Sequence, residues 1–128
     1  MTPNVTTWSP DDLDRVGDAK ELQLASKRDD GTRRPYVTIW GVRTGDNVYV
    51  RSAYGPDNGW FRRARSSGSG WIRAGGVECE VTFAAPDPAV QEDVDAAYRT
   101  KYGRYSGIVE GIVGPKVYDV TLRVDPVA

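Results

Sequence analysis

Arg51 and Ser52 close the apolar run Val48-Tyr49-Val50. After the loop Gly55-Pro56-Asp57-Asn58-Gly59 come Trp60 and a second basic group, Arg62, Arg63 and Arg65. Guanidinium forks and the free N–H groups of a helix start both favour phosphate oxygens, so this pattern points to capture of a phosphorylated small molecule. On a helix, positions 62 and 65 share a side and 63 points elsewhere, so the three arginines cannot all reach one phosphate. The bland alternative is a solvated helix face, with Arg51 a surface arginine at a strand end.

Other chemistry is limited by composition. The chain of 128 residues has no histidine and a single cysteine, Cys79, which excludes within one chain a Ser-His-Asp or Cys-His nucleophile, a Cys/His zinc site and a disulfide. No calcium-type loop or phosphate-loop signature occurs, and no metal is expected. In a protein without histidine, tyrosine is the natural proton donor, which makes Tyr98 and Tyr102, at i, i+4 spacing, the catalytic candidates. They also read as core residues with hydroxyls at a cavity edge. Cys79, between Glu78 and Glu80, reads as an ordinary buried thiol.

The net charge of −1 conceals a gradient: nine arginines stand against four aspartates from Arg28 to Arg73, with acidic flanks on either side. A basic middle in a chain of pI near 5.4 suits a small anion better than a nucleic-acid backbone. There is no apolar run of membrane length, and the N-terminus lacks a signal-peptide pattern, so a cytoplasmic single domain is expected, with no membrane partner.

The elements that must position these residues follow from the pattern. Ser9-Pro10-Asp11-Asp12 is a helix start, predicted to run to Val16 or Asp18. Glu21–Ser26 alternates as a strand, and Tyr36–Val42 and Val48–Val50 form a hairpin across Thr44-Gly45-Asp46-Asn47. A helix over Trp60–Arg65 is followed by a second hairpin, Trp71–Ala74 with Val77–Phe83 across Gly75-Gly76. Asp87-Pro88 opens a helix reaching Tyr102 and stopped by Gly103. A short helical segment is expected around Ile108–Val113, and a last strand spans Val117–Val124. The expected fold is mainly β with peripheral α: a six-stranded antiparallel split β-barrel of Greek-key type.

The succession strand, Gly31-x-x-Arg34-Pro35 turn, long hairpin, Arg51-Ser52-x-x-Gly55, Trp60-x-x-x-Ala64 helix and Gly-Gly hairpin resembles the flavin-binding split barrels, notably the branch using deazaflavin F420. The phrases Ile39-Trp40, Tyr49-Val50-Arg51-Ser52, Gly59-Trp60, Tyr98-Arg99-x-Lys101-Tyr102 and Thr121-Leu122-Arg123 resemble the DUF2255 family over nearly the whole chain. The resemblance implies a homodimer binding F420 or FMN. The phosphate would lie on Arg33, Arg34 and Pro35, on Arg51, Ser52 and Ala53, and on Trp60 and Arg63. A substrate cavity would be lined by Trp40, Trp71, Tyr98 and Tyr102. The chain departs from its relatives at Asp29-Asp30-Gly31, where a basic residue is common, setting two carboxylates near the anion.

Three functions remain open at this point. The first is an F420- or FMN-dependent oxidoreductase acting on a small organic molecule, with chemistry carried by the cofactor. The second is a non-redox binding protein or cofactor-free biosynthetic enzyme holding a hydrophobic metabolite between the tryptophans and tyrosines. A nucleic-acid module is the least favoured, and no nucleic-acid partner is expected. Trp40 and Trp60 also suit core packing, and Trp71 suits either a lid or an interface.

Overall fold

A computed structural model describes residues 6–53 and 55–127. Helix α1 (Pro10–Asp18) starts as its sequence dictates: the backbone N–H of Asp12 donates to Ser9 Oγ at 3.2 Å, Pro10 opens the first turn, and Leu13 and Val16 are buried. Strand β1 (Leu22–Ser26) follows, then β2 (Val37–Ile39), β3 (Gly41–Thr44) and β4 (Asn47–Arg51). Helix α2 (Gly59–Ser67) ends on Gly68 at φ 72°, and β5 (Ser69–Ala74) pairs with β6 (Val77–Ala84) in register Ala74↔Val77. Helix α3 (Gln91–Tyr102), the four-residue α4 (Ser106–Val109) and β7 (Thr121–Pro126) complete the chain.

All strand pairings are antiparallel, in the order β2-β1-β5-β6-β7-β4-β3. The two ends of that order, β2 and β3, are separated in sequence by Trp40 alone. The chain thus steps from one sheet edge to the other through a single residue, curling the sheet into a nearly closed barrel. Seven strands replace the expected six because the strand expected over Tyr36–Val42 breaks at Trp40, where its partner changes from β1 to β4.

Period-two alternation places the core. Val48 and Val50 of β4 point into the barrel with Leu22, Leu24, Ile72, Val81, Leu122 and Val124, while Phe61 and Ala64 of α2 pack on the same cluster. On the outer face of the hairpin, Val42 and Tyr49 pack against Val94, Tyr98 and Tyr102 of α3 and against Val109, Ile112 and Val113. Strand β4 is therefore covered on both faces, and this decides the fate of Arg51.

Three local expectations are corrected. The Asp87-Pro88 start first winds a 3-10 turn, Pro88–Val90, with the Ala89 N–H on Asp87 Oδ1 at 2.9 Å, and the α-helix begins at Gln91. Gly103 keeps right-handed helical angles, φ −57° and ψ −27°, so the chain runs on into another 3-10 turn. The last strand begins at Thr121, because Pro115–Val120 winds as 3-10 helix. The Gly75-Gly76 turn holds both glycines at positive φ, 57° and 84°, and a Cβ on Gly75 would stand 2.1 Å from the Arg15 carbonyl oxygen, so α1 seats directly on this turn.

Candidate functional site: a groove at the barrel end and its basic extension

Arg51 stands on the outward face of β4, which α3 covers, and is 2 % exposed. Nε donates to Thr121 Oγ1 at 2.9 Å. One terminal nitrogen donates to Asp95 Oδ1 at 2.5 Å and to the Ile112 carbonyl at 3.0 Å. The other donates to the backbone and side-chain oxygens of Gln91 at 3.1 and 2.8 Å. Five N–H groups meet five acceptors, which exhausts the guanidinium. Asp95 also accepts from Tyr118 Oη at 2.7 Å and from the Gly114 N–H at 3.0 Å. Burial alone would raise the Asp95 carboxyl, yet the hydrogen bonds from Tyr118, Gly114 and Arg51 outweigh it and hold it below the ordinary aspartate range.

Ser52 is likewise committed: its hydroxyl donates to the Gly55 carbonyl at 2.8 Å and its N–H to Val120 at 3.1 Å. This corrects the anion role expected of the Arg51-Ser52 pair. In this arrangement both tie β4 to α3 and to the loop before β7, and neither offers a donor to a ligand.

The tyrosine candidates are corrected on the same grounds. Tyr98 Oη donates to the Trp40 carbonyl at 3.2 Å, and Tyr102 Oη lies 2.8 Å from the Lys20 carbonyl and 3.2 Å from that of Gly41. Burial pushes the Tyr98 hydroxyl well above its ordinary range and that of Tyr102 up to about 12. Both hold the β2–β3 step in place, and proton donation to a ligand is not their position. Trp40 stacks flat on Tyr102, with centroids 4.0 Å apart and planes at 5°.

A groove of about 420 Å3 opens at this end of the barrel, walled by Val37, Ile39, Trp40, Trp60 and Ile112, with Arg51 at its back and Ala53 on the rim. Ile108, 60 % exposed, forms the lip. A small hollow of about 10 Å3, lined by Arg34, Pro35, Val37, Trp60 and Arg63, lies between the groove and a basic cleft of about 290 Å3, sharing Val37 and Trp60 with the first and Arg34 and Arg63 with the second. That cleft is lined by Lys27, Asp29, Arg34, Arg62, Arg63, Ser66 and Ser67. Among the described residues no carboxylate lies within 4.0 Å of Arg34, Arg62 or Arg63, whereas Lys27 pairs with Glu80 at 2.7 Å. The first turn of α2 carries no acidic residue and Asn58 makes no side-chain cap, leaving the helix start open. Arg63 folds back so that its guanidinium would stand 2.8 Å from a Cβ on Gly59.

Of the residues expected in the site, Arg34, Pro35, Trp40, Arg51, Ala53, Trp60 and Arg63 line these hollows, Arg51 with its donors already engaged. Arg33 is exposed outside them, its guanidinium 4.9 Å from the Tyr36 ring centroid, and Trp71 stands apart with Lys27 Nζ 5.1 Å above it. The suspected carboxylates separate: Asp29 lines the basic cleft, while Asp30 is turned onto the Thr32 hydroxyl and N–H at 2.6 and 3.0 Å. Lys27, Ile108 and Ile112 were not anticipated. Ile112 belongs to the segment read only as helical, and nothing in its spacing marks it as a wall.

Among the described residues no group of three or more His, Cys, Asp or Glu side chains could hold a metal ion, and no helix is long and apolar enough to cross a membrane. Residues 12–124 match the model of a family described as an uncharacterized protein conserved in bacteria, DUF2255. No curated protein matches the sequence. One similar solved structure is the conserved hypothetical protein Rv2991 from Mycobacterium tuberculosis, at 12 % identity and TM-score 0.60, covering 100 % of this chain and 84 % of that one. Another is an F420 reductase, at 14 % identity and TM-score 0.49, covering 90 % and 91 %. The first likeness is one of fold; the second is too slight to support an argument.

Proposed function

The chain belongs to the DUF2255 family, and from that footing we propose that it is a split-barrel protein binding a planar, phosphorylated small molecule of the flavin or deazaflavin class, FMN or F420. One observation carries the reading: an aromatic groove and an arginine-lined cleft flank the same small hollow, which shares Val37 and Trp60 with the groove and Arg34 and Arg63 with the cleft. A ring seated against Trp40 and Trp60 would place its anionic end on Arg34 and Arg63, with Arg62 and Lys27 further out. Asp29 opposes that anion in part.

A bound flavin or deazaflavin would supply hydride exchange with a small organic acceptor. The chain's own part is to bind, orient and exclude water. Among the described residues the groove walls carry no carboxylate, amine or hydroxyl acid–base group apart from the Thr38 hydroxyl, and Arg51 is fully engaged. That same lack of a proton-transfer group favours, as the second reading, a non-redox protein holding a hydrophobic metabolite in the groove. We propose in addition that the protein is a homodimer, as the split-barrel resemblance implies, with light scattering at twice the mass of one chain expected and a monomer mass ruling it out.

Calorimetry with FMN, F420 and riboflavin separates the readings. The flavin reading expects FMN or F420 to bind and riboflavin, lacking the phosphate, to bind at least tenfold more weakly. Arg34→Ala and Arg63→Ala should each weaken FMN or F420 binding by roughly 10- to 100-fold, as loss of a charge-assisted hydrogen bond implies, with riboflavin unaffected. Absence of binding by both FMN and F420 would sink the reading.

A further inference from the structure

A second cleft, of about 590 Å3, opens on the far side of α3, between that helix, α1 and β3. Val42 lies buried beneath it, Gly17, Ala96 and Ala97 add apolar surface, and Thr44, Thr100 and Lys101 complete its lining. Lys101 is half-buried and its Nζ donates to the Gly41 carbonyl at 2.7 Å, 5.2 Å from the Tyr102 ring centroid. That carbonyl belongs to the first residue after the Trp40 step. The charged groups facing the cleft are Asp18 from α1, Arg43 from β3 and Asp93 from α3. Arg43 is engaged by Asp14 at 2.5 Å and by the Gly45 carbonyl. No carboxylate lies within 4.0 Å of the Lys101 amine among the described residues.

We propose that Lys101 is a nucleophilic amine that condenses with small, uncharged aldehydes or ketones entering this cleft to form an imine. With Lys101 as the neutral amine, Arg43 stands against Asp18 and Asp93, so the lining carries a net negative charge that disfavours anions and suits an uncharged carbonyl compound. In the neutral amine one N–H stays on the Gly41 carbonyl, fixing the nitrogen while its lone pair is left for bond formation. Burial lowers the Lys101 pKa from 10.5 to about 8, with the Asp18 charge acting the other way. The nitrogen lone pair bonds to the carbonyl carbon, and the C=O π pair moves to oxygen, which takes up a proton. The resulting carbinolamine then loses water as C=N forms and the nitrogen gives up its protons. No oxidant or reductant enters.

The chain has four lysines, Lys20, Lys27, Lys101 and Lys116, which provide internal controls. Trace acetylation of the intact protein with acetic anhydride across pH 6–10, read by peptide mass spectrometry, should give Lys101 a midpoint near its lowered pKa. At pH 7.5 about a quarter of such an amine is neutral, against about one part in a thousand for an ordinary lysine, so Lys101 should label roughly tenfold or more faster than Lys20. Propionaldehyde with cyanoborohydride at the same pH should place its adduct first on Lys101, and Lys101→Arg should remove that adduct while leaving the others unchanged. Labelling of Lys101 at the rate and midpoint of Lys20, or an aldehyde adduct spread evenly over the four lysines, overturns the proposal. Neither measurement depends on flavin binding.

Discussion

Arg51 and Asp95 show how a charge pair becomes structural. Each is held by neutral partners besides the other, and removing one leaves the second buried and uncompensated, which typically costs about 3–5 kcal/mol. Arg51→Met is therefore expected to lose most of the chain's stability in urea melts, and Asp95→Asn, which keeps the shape and some acceptors, to lose less. The sign of the pH effect follows from the lowered Asp95 pKa. A carboxyl depressed in the folded state stabilises above its unfolded value and loses that contribution as pH falls through the folded one. Wild type should thus show a stability decline below about pH 4 that Asp95→Asn lacks, measured by urea midpoints between pH 2.5 and 6. Arg51 was legible in the sequence as important but not as buried. The available sign was Asp95, an acid one turn from Gln91 on the same α3 face as Tyr98 and Tyr102.

The elements that formed as expected are those whose ends are specified by neighbours in sequence. Ser9 caps α1, Gly68 ends α2, and Gly45-Asp46 and Gly75-Gly76 turn the two hairpins. Ser9→Ala should cost about 1 kcal/mol. Gly75→Ala should cost more, about 2 kcal/mol or above, because it strains a left-handed turn and also drives a Cβ into the Arg15 carbonyl. Thermal melts of the two variants test that order. The elements that departed from expectation lie between α3 and β7, where no strong cap or stop signal stands. Gly103 can end a helix or continue one, and packing of Val109, Ile112 and Val113 on Tyr49 and Tyr98 selects continuation.

On the scale of the whole molecule, Trp40 is the closing point of the sheet. Its carbonyl accepts from Tyr98, its ring stacks on Tyr102, and the edges β2 and β3 meet on either side of it. Trp40→Ala should open both edges, with a loss of about 3 kcal/mol, and should speed amide exchange in Val37–Ile39 and Gly41–Thr44 far more than in the β5–β6 pair. Retained protection of β2 and β3 in that variant would contradict the closing role. The same residue walls the groove, so closure and the proposed ligand site stand or fall together.

Local chemistry in the chain was enough to determine the β-rich antiparallel class, both hairpins, the α1 and α2 helices and the basic character of the region around α2. Each depends on interactions within a few residues, and their signals are short. Which strand face each arginine occupies, and what covers it, was decided only in the tertiary structure. Arg51 and Arg63 are both arginines near a loop, yet α3, some forty residues on, buries the first against Asp95, while Arg63 stays on a helix flank and, among the described residues, has no carboxylate within 4.0 Å. Burial of a charge is a property of the partners that long-range packing brings to it, and no spacing around the charge itself records them.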